Sequence, residues 1–174
     1  TERDREYGPG DVIERVKDLP PEIEDRQEFD QDLLDAGVSI EPGEKVLGYS
    51  EGSRRPIHVT TDHLEIPKTL IHERTHQLSH PAARERLGAP LHEGITEDIA
   101  ILNLGSEPIE GIPQCYPEER AIARQLRLLC GEEAINEAYF RGDLQRLRER
   151  LESHSGKGAL DKLRRRMEKL DNIE

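Results

Sequence analysis

The chain carries His72-Glu73-Arg74-Thr75-His76, two histidines four positions apart that bracket a glutamate. On a helix of 3.6 residues per turn, His72 and His76 project from one face, one turn apart, so both imidazoles can reach a single ion. Glu73 lies about 100° further round, where its carboxylate reaches a water on that ion instead of the ion itself. The spacing predicts a metal centre with two imidazole ligands and a separate acid placed to act as a base.

Two histidines do not complete such a centre, because catalytic zinc takes three protein ligands and keeps a fourth position for water or substrate. Downstream, Leu91-His92-Glu93-Gly94-Ile95-Thr96-Glu97-Asp98-Ile99-Ala100 reads as a second helix. Leu91, Ile95, Ile99 and Leu102 form an apolar stripe at helical spacing, and Glu93 and Glu97 fall on a different face. The interval after His76 is long enough to finish the first helix, turn at Pro81 or Gly88-Ala89-Pro90, and return alongside. Gly94 predicts a close approach of the two backbones beside the carboxylate. Glu93 and Glu97 compete as third ligand, and His92 is a further side chain able to bind metal.

His72-Glu73-Arg74-Thr75-His76 followed by Glu93-Gly94 and Glu97 resembles the gluzincins, zinc metallopeptidases with one motif on each of two helices. The resemblance covers roughly residues 57–100. It implies an α+β, mainly α, zincin-like fold: a small β-sheet, then the active-site helix, the glutamate helix and a C-terminal helical subdomain. It further implies Zn²⁺ held by His72, His76 and Glu93, with Glu73 as catalytic base in peptide-bond hydrolysis. Glu97, matching the family's second acid, would accept a hydrogen bond from the far ring nitrogen of a ligand histidine. His92 departs from the pattern, since the family usually has asparagine there.

Other patterns are weaker. The HExxHxxGxxH extension of the metzincins fails, because Ser79 and Ala82 stand at the glycine and final histidine positions. His80 continues the face of His72, but at 1.5 Å per residue it lies about 12 Å along the axis, too far to share one ion. For the donor that stabilises an oxyanion, Tyr116 is preferred because it lies in the loop after the glutamate helix; Tyr139, His154 and His80 are the alternatives. The competing function is a zinc-binding structural or protein-interaction module without turnover, in which a fourth protein group closes the coordination sphere.

A chain of 174 residues suits one domain, and with 33% hydrophobic residues and no tryptophan its core must be mostly aliphatic. Net charge of −12 argues against nucleic-acid partners and anionic membrane surfaces. It suits a protein or peptide substrate with basic character, and leaves room for an inhibitor, immunity or parent-polypeptide partner. A start at Thr1, with neither an initiator methionine nor an apolar leader, suits a trimmed chain or one domain of a longer polypeptide, such as a toxin or effector. Cys115 and Cys130 flank a predicted helix whose ends stand about 20 Å apart, beyond disulfide reach, so both are expected as free thiols, which leans toward a reducing compartment.

The elements that must position the candidate residues follow in order. Residues 1–26, broken by Gly8-Pro9-Gly10 and Pro20-Pro21, read as an N-terminal arm with a short helix from Asp11 to Lys17. Residues 27–152 read as the zincin-like domain, and 153–174 as a charged C-terminal helix or tail. Within the domain a helix is expected from Gln27 to Asp35, then strands at Val38–Ile40, Lys45–Tyr49 and Pro56–Thr60. The resemblance makes Ile57-His58-Val59 the candidate edge strand. Pro67 suits the first turn of the active-site helix, which should run to about Ser79. Helices are then expected over Pro117–Leu129, Glu132–Phe140, Asp143–Leu151 and Gly158–Leu170.

Overall fold

The computed structural model describes residues 7–12, 21–37, 46–50, 57–61, 66–105 and 115–170. The chain is α+β and mainly helical. Three short strands, β1 (Glu22–Glu24), β2 (Gly48–Ser50) and β3 (Ile57–Thr60), accompany helix α1 (Arg26–Asp35), which lies between β1 and β2 in the chain. Seven helices follow: α2 (Ile66–Leu78), α3 (Ala83–Leu87), α4 (Ala89–Leu104), α5 (Pro117–Cys130), α6 (Glu132–Phe140), α7 (Gln145–Ser155) and α8 (Ala159–Leu170). The strand expected at Val38–Ile40 lies outside the described residues, as does all but the start of the helix expected from Asp11. Residues 9–12 form one helical turn.

The sheet order is β1-β3-β2, with β1 parallel and β2 antiparallel to β3. This corrects the expectation that Ile57-His58-Val59 forms the edge, because β3 is the central strand. Its β-branched Ile57 and Val59 are fully buried, as a strand paired on both sides requires. The added partner is Glu22-Ile23-Glu24, a segment whose composition carries no strand signal and which the sequence reading left in the arm. Both β3 and β2 pack against α2. A Cβ on Gly48 would lie 2.8 Å from Cγ2 of Thr69 and 3.2 Å from Cγ of Glu73, so only glycine lets the strand press this closely on α2.

Helix α4 is the axis of the helical part. Every residue from Pro90 to Ile101 is buried, with Leu91, Ile95 and Ile99 in the main core. Leu102 does not extend that stripe, being 50% exposed one turn from the helix end. Glycine at 94 serves a contact different from the one expected. A Cβ there would collide with the backbone of Glu119 on α5, so the close approach is between α4 and α5, not between α4 and α2. Arg127 Nε on α5 reinforces it by donating to the buried carboxylate of Asp98 at 2.8 Å.

Both terminal segments pack into this body. Val12 is fully buried in the main core, as are Leu160 and, nearly so, Met167 of the arginine-rich α8. A smaller apolar cluster of Phe29, Leu33 and Tyr49 joins α1 to the sheet. Helix α2 buries Ile71 and Leu78 in the main core. Cys115 is exposed and Cys130 buried, and both are free thiols. No helix of the described residues is long and apolar enough to cross a membrane.

Candidate metal centre

Helices α2 and α4 bring His72, His76 and Glu93 together; the four-residue spacing predicted the histidine pair, and the resemblance implied Glu93 rather than Glu97 beside it. Nε2 of His76 lies 3.0 Å from Nε2 of His72 and 2.9 Å from Oε2 of Glu93, and His72 Nε2 stands 3.5 Å from the same oxygen. A tetrahedral ion with bonds of about 2.0–2.1 Å sets its ligand atoms about 3.3 Å apart, so the triangle has the size of one face of such a site. Each ligand is held from behind.

His72 Nδ1–H donates to Oε2 of Glu97 at 2.8 Å, which makes Nε2 the ring nitrogen that faces His76 and Glu93. The Glu97 side chain is almost fully buried, and its other oxygen accepts from Nζ of Lys68 at 3.0 Å, itself buried one turn before His72. On the far side of His76, the Thr96 hydroxyl lies 3.4 Å from Nδ1, 2.8 Å from the carbonyl of His92 and 2.6 Å from Tyr139 OH, so Thr96 backs the imidazole as Glu97 backs His72. Arg84 holds the outer oxygen of Glu93. Three atoms able to bind metal thus converge on one point, each backed by a polar partner, where a proton on His72 or a divalent cation supplies the positive charge between them.

The electrostatics carry the same message. Burial lowers the pKa of His72, but hydrogen bonds with Glu93 and Glu97 and the charge of Glu73 outweigh it and raise the group to about 10. Burial opposes the ionised form of Glu93, yet the hydrogen bonds of His72 and His76 hold it well below the usual carboxylate range. Glu97 is likewise held ionised against its burial by His72 and Lys68. The pocket is built to retain positive charge.

Glu73 is partly buried and lines both cavities that meet at His72, one of about 140 Å³ toward Lys68 and Glu97, the other a cleft of about 870 Å³ toward His76 and Arg84. Burial raises its pKa above that of an ordinary glutamate. Tyr116 borders both cavities too, its ring parallel to that of His72 at 6.0 Å between centroids. It precedes α5 at φ 53° and is the single non-glycine residue with positive φ among the described residues. Such a backbone costs roughly 1–2 kcal/mol, strain that recurs at functional sites. Burial and the charge of Glu93 raise its pKa, so the phenol keeps its proton.

The remaining candidates lie elsewhere. His92 is buried between the rings of His76 and Tyr139, 5.2 and 4.9 Å away, and neither of its nitrogens has a hydrogen-bond partner. Burial, and then the charge of His76, lower it to about 3, so it packs as a neutral ring. Tyr139 is fully buried and committed to Thr96. His80 accepts from the amide of Ala82 at 3.1 Å, closing the Pro81 turn at the rim of the cleft. His154 is exposed in the last turn of α7. Lys68, Arg84 and Thr96 were not foreseen; Lys68 alone left a signal, standing four residues before His72 on the same helical face.

The chain matches no protein-family model, no curated protein and no solved structure.

Proposed function

We propose that this chain is a zinc-dependent endopeptidase of gluzincin type, with a zincin-like arrangement of sheet, active-site helix and glutamate helix. The observation that carries the reading is the convergence of His72 Nε2, His76 Nε2 and Glu93 Oε2 within 3.5 Å of one another, beside a glutamate that is not among them. His72, His76 and Glu93 would hold the ion. Zinc bound there supplies a Lewis acid and a water whose pKa falls from about 15.7 toward 7.

The residues of the chain do the rest. Glu73, a stronger base than a solvated glutamate, accepts the proton of the attacking water and delivers it to the leaving amine. Tyr116 donates a hydrogen bond to the carbonyl oxygen as negative charge develops on it, from a ring held beside His72 by its strained backbone. Glu97, kept ionised by Lys68, orients His72 and raises its basicity, and Arg84 orients Glu93 by holding its other oxygen. Strand β2 forms one wall of the cleft through Gly48 and Tyr49, where an extended peptide would lie. The competing module without turnover needs a fourth protein ligand; His92, stacked on His76, is not in the group of His72, His76 and Glu93 donor atoms that lie within 4.8 Å of one another, and the open cleft beside Glu73 favours catalysis.

The test is a peptide library incubated with the chain and with Glu73→Gln, each with and without a chelator. Chelator-sensitive cleavage by the parent alone is expected. Cleavage that survives in Glu73→Gln, or that ignores the chelator, contradicts the mechanism.

A further inference from the structure

A second group of metal-ligating side chains stands on the sheet, away from the α2–α4 centre and independent of the reaction proposed for it. Glu22 and Glu24, two apart on β1, point to the same face of the sheet, and the parallel register sets Glu22 opposite His58 on β3. His58 Nδ1 is 2.5 Å from Oε1 of Glu24 and 3.5 Å from Oε2 of Glu22. Oδ2 of Asp32, on the overlying α1, is 4.0 Å from the same nitrogen. One donor atom from each of Glu22, Glu24 and His58 lies within 4.8 Å of the others.

A hydrogen bond between His58 and Glu24 does not complete this cluster. Glu24 is only 6% exposed, and its second oxygen is buried with no hydrogen-bond partner. A buried carboxylate oxygen left unmatched is costly, and a second carboxylate beside it adds like-charge repulsion. A cation relieves both. We propose that Glu22, Glu24 and His58 form a second divalent-cation site, with Asp32 within reach as a fourth ligand. An imidazole among carboxylates selects a first-row transition ion such as Zn²⁺ over Ca²⁺ or Mg²⁺, which take oxygen ligands. Tyr49 stacks on the His58 ring at 4.6 Å and also lines the cleft at the first centre, so an ion here braces the strand that walls the cleft.

The test is equilibrium dialysis of the full chain against Zn²⁺ and, separately, Ca²⁺, with metal counted per chain. The wild type should take up two equivalents of Zn²⁺ and none of Ca²⁺. His58→Ala and Glu22→Gln should each lose one equivalent, whereas His76→Ala should lose the other. Glu22 is exposed, so Glu22→Gln leaves the packing intact. Loss in Glu22→Gln and His58→Ala supports this site even if His76→Ala changes nothing, an outcome that would instead count against the first centre. Zinc uptake that is undiminished in both Glu22→Gln and His58→Ala, or Ca²⁺ bound in place of Zn²⁺, overturns the proposal.

Discussion

Oε2 of Glu97 accepts a hydrogen bond from Nδ1 of His72 at 2.8 Å, while its other oxygen is held by the ammonium of Lys68. One buried carboxylate thereby links a lysine to an imidazole on the same helix, one turn apart, and sets which nitrogen of that imidazole faces the cleft. Glu97→Gln keeps the volume but loses the charge. Zinc affinity should fall about 10–100-fold, read by competition with a chromophoric chelator. Unchanged affinity would show that Glu97 does not position His72.

The raised pKa of His72 makes zinc uptake pH-dependent. Its neighbours push it up to about 10, from the 6.5 of an unperturbed histidine. The protonated group therefore stabilises the fold fully below about pH 6.5, and that contribution is lost as pH rises through about 10. Zinc must displace this proton. Calorimetry in buffers of different ionisation enthalpy should show about one proton released per zinc from His72 between pH 7 and 9, with affinity rising up to about tenfold per pH unit. Affinity that is flat across this range would contradict the assignment.

Tyr116→Phe removes a hydroxyl and leaves the ring against His72. If the phenol donates to the developing oxyanion, kcat should fall roughly 10²–10³-fold, with bound zinc and KM nearly unchanged. A loss confined to KM would make Tyr116 a substrate contact only.

Gly94→Ala tests the packing that places Glu93. The added methyl meets the backbone of Glu119, which cannot move aside as a side chain would. Tm should drop by about 5 °C or more. An unchanged Tm would mean that α4 and α5 are less closely fitted than their contact indicates.

Much of the centre was legible because both motifs sit on helices, where a spacing of four fixes a shared face whatever the tertiary context. His72 and His76 needed only that periodicity, whereas Glu93 over Glu97 came from the resemblance, since periodicity puts both glutamates on one face. The partners that finish the job were not legible. Arg84 lies on α3, a five-residue helix hidden in what reads as a turn, and Thr96 matters through a hydrogen-bond chain ending at Tyr139, forty-three residues on. The sheet was misread for a physical reason. Glu22-Ile23-Glu24 lacks the apolar alternation of a strand, because its two glutamates face His58 rather than solvent alone, and the signals of β3 itself suited an edge strand and a core hairpin equally. Gly94 was read correctly as a close approach but assigned to the wrong neighbour, since one sequence does not say which helix packs on which face.

The central claim is that His72, His76 and Glu93 grip one ion beside Glu73. It is tested most directly by an anomalous difference map at the zinc edge from crystals of the zinc-loaded chain. The account predicts a peak about 2.0–2.2 Å from Nε2 of His72, Nε2 of His76 and Oε2 of Glu93, with a fourth position open to the cleft. A peak absent from this triangle, or one whose fourth ligand is His92 or another protein side chain, would contradict it.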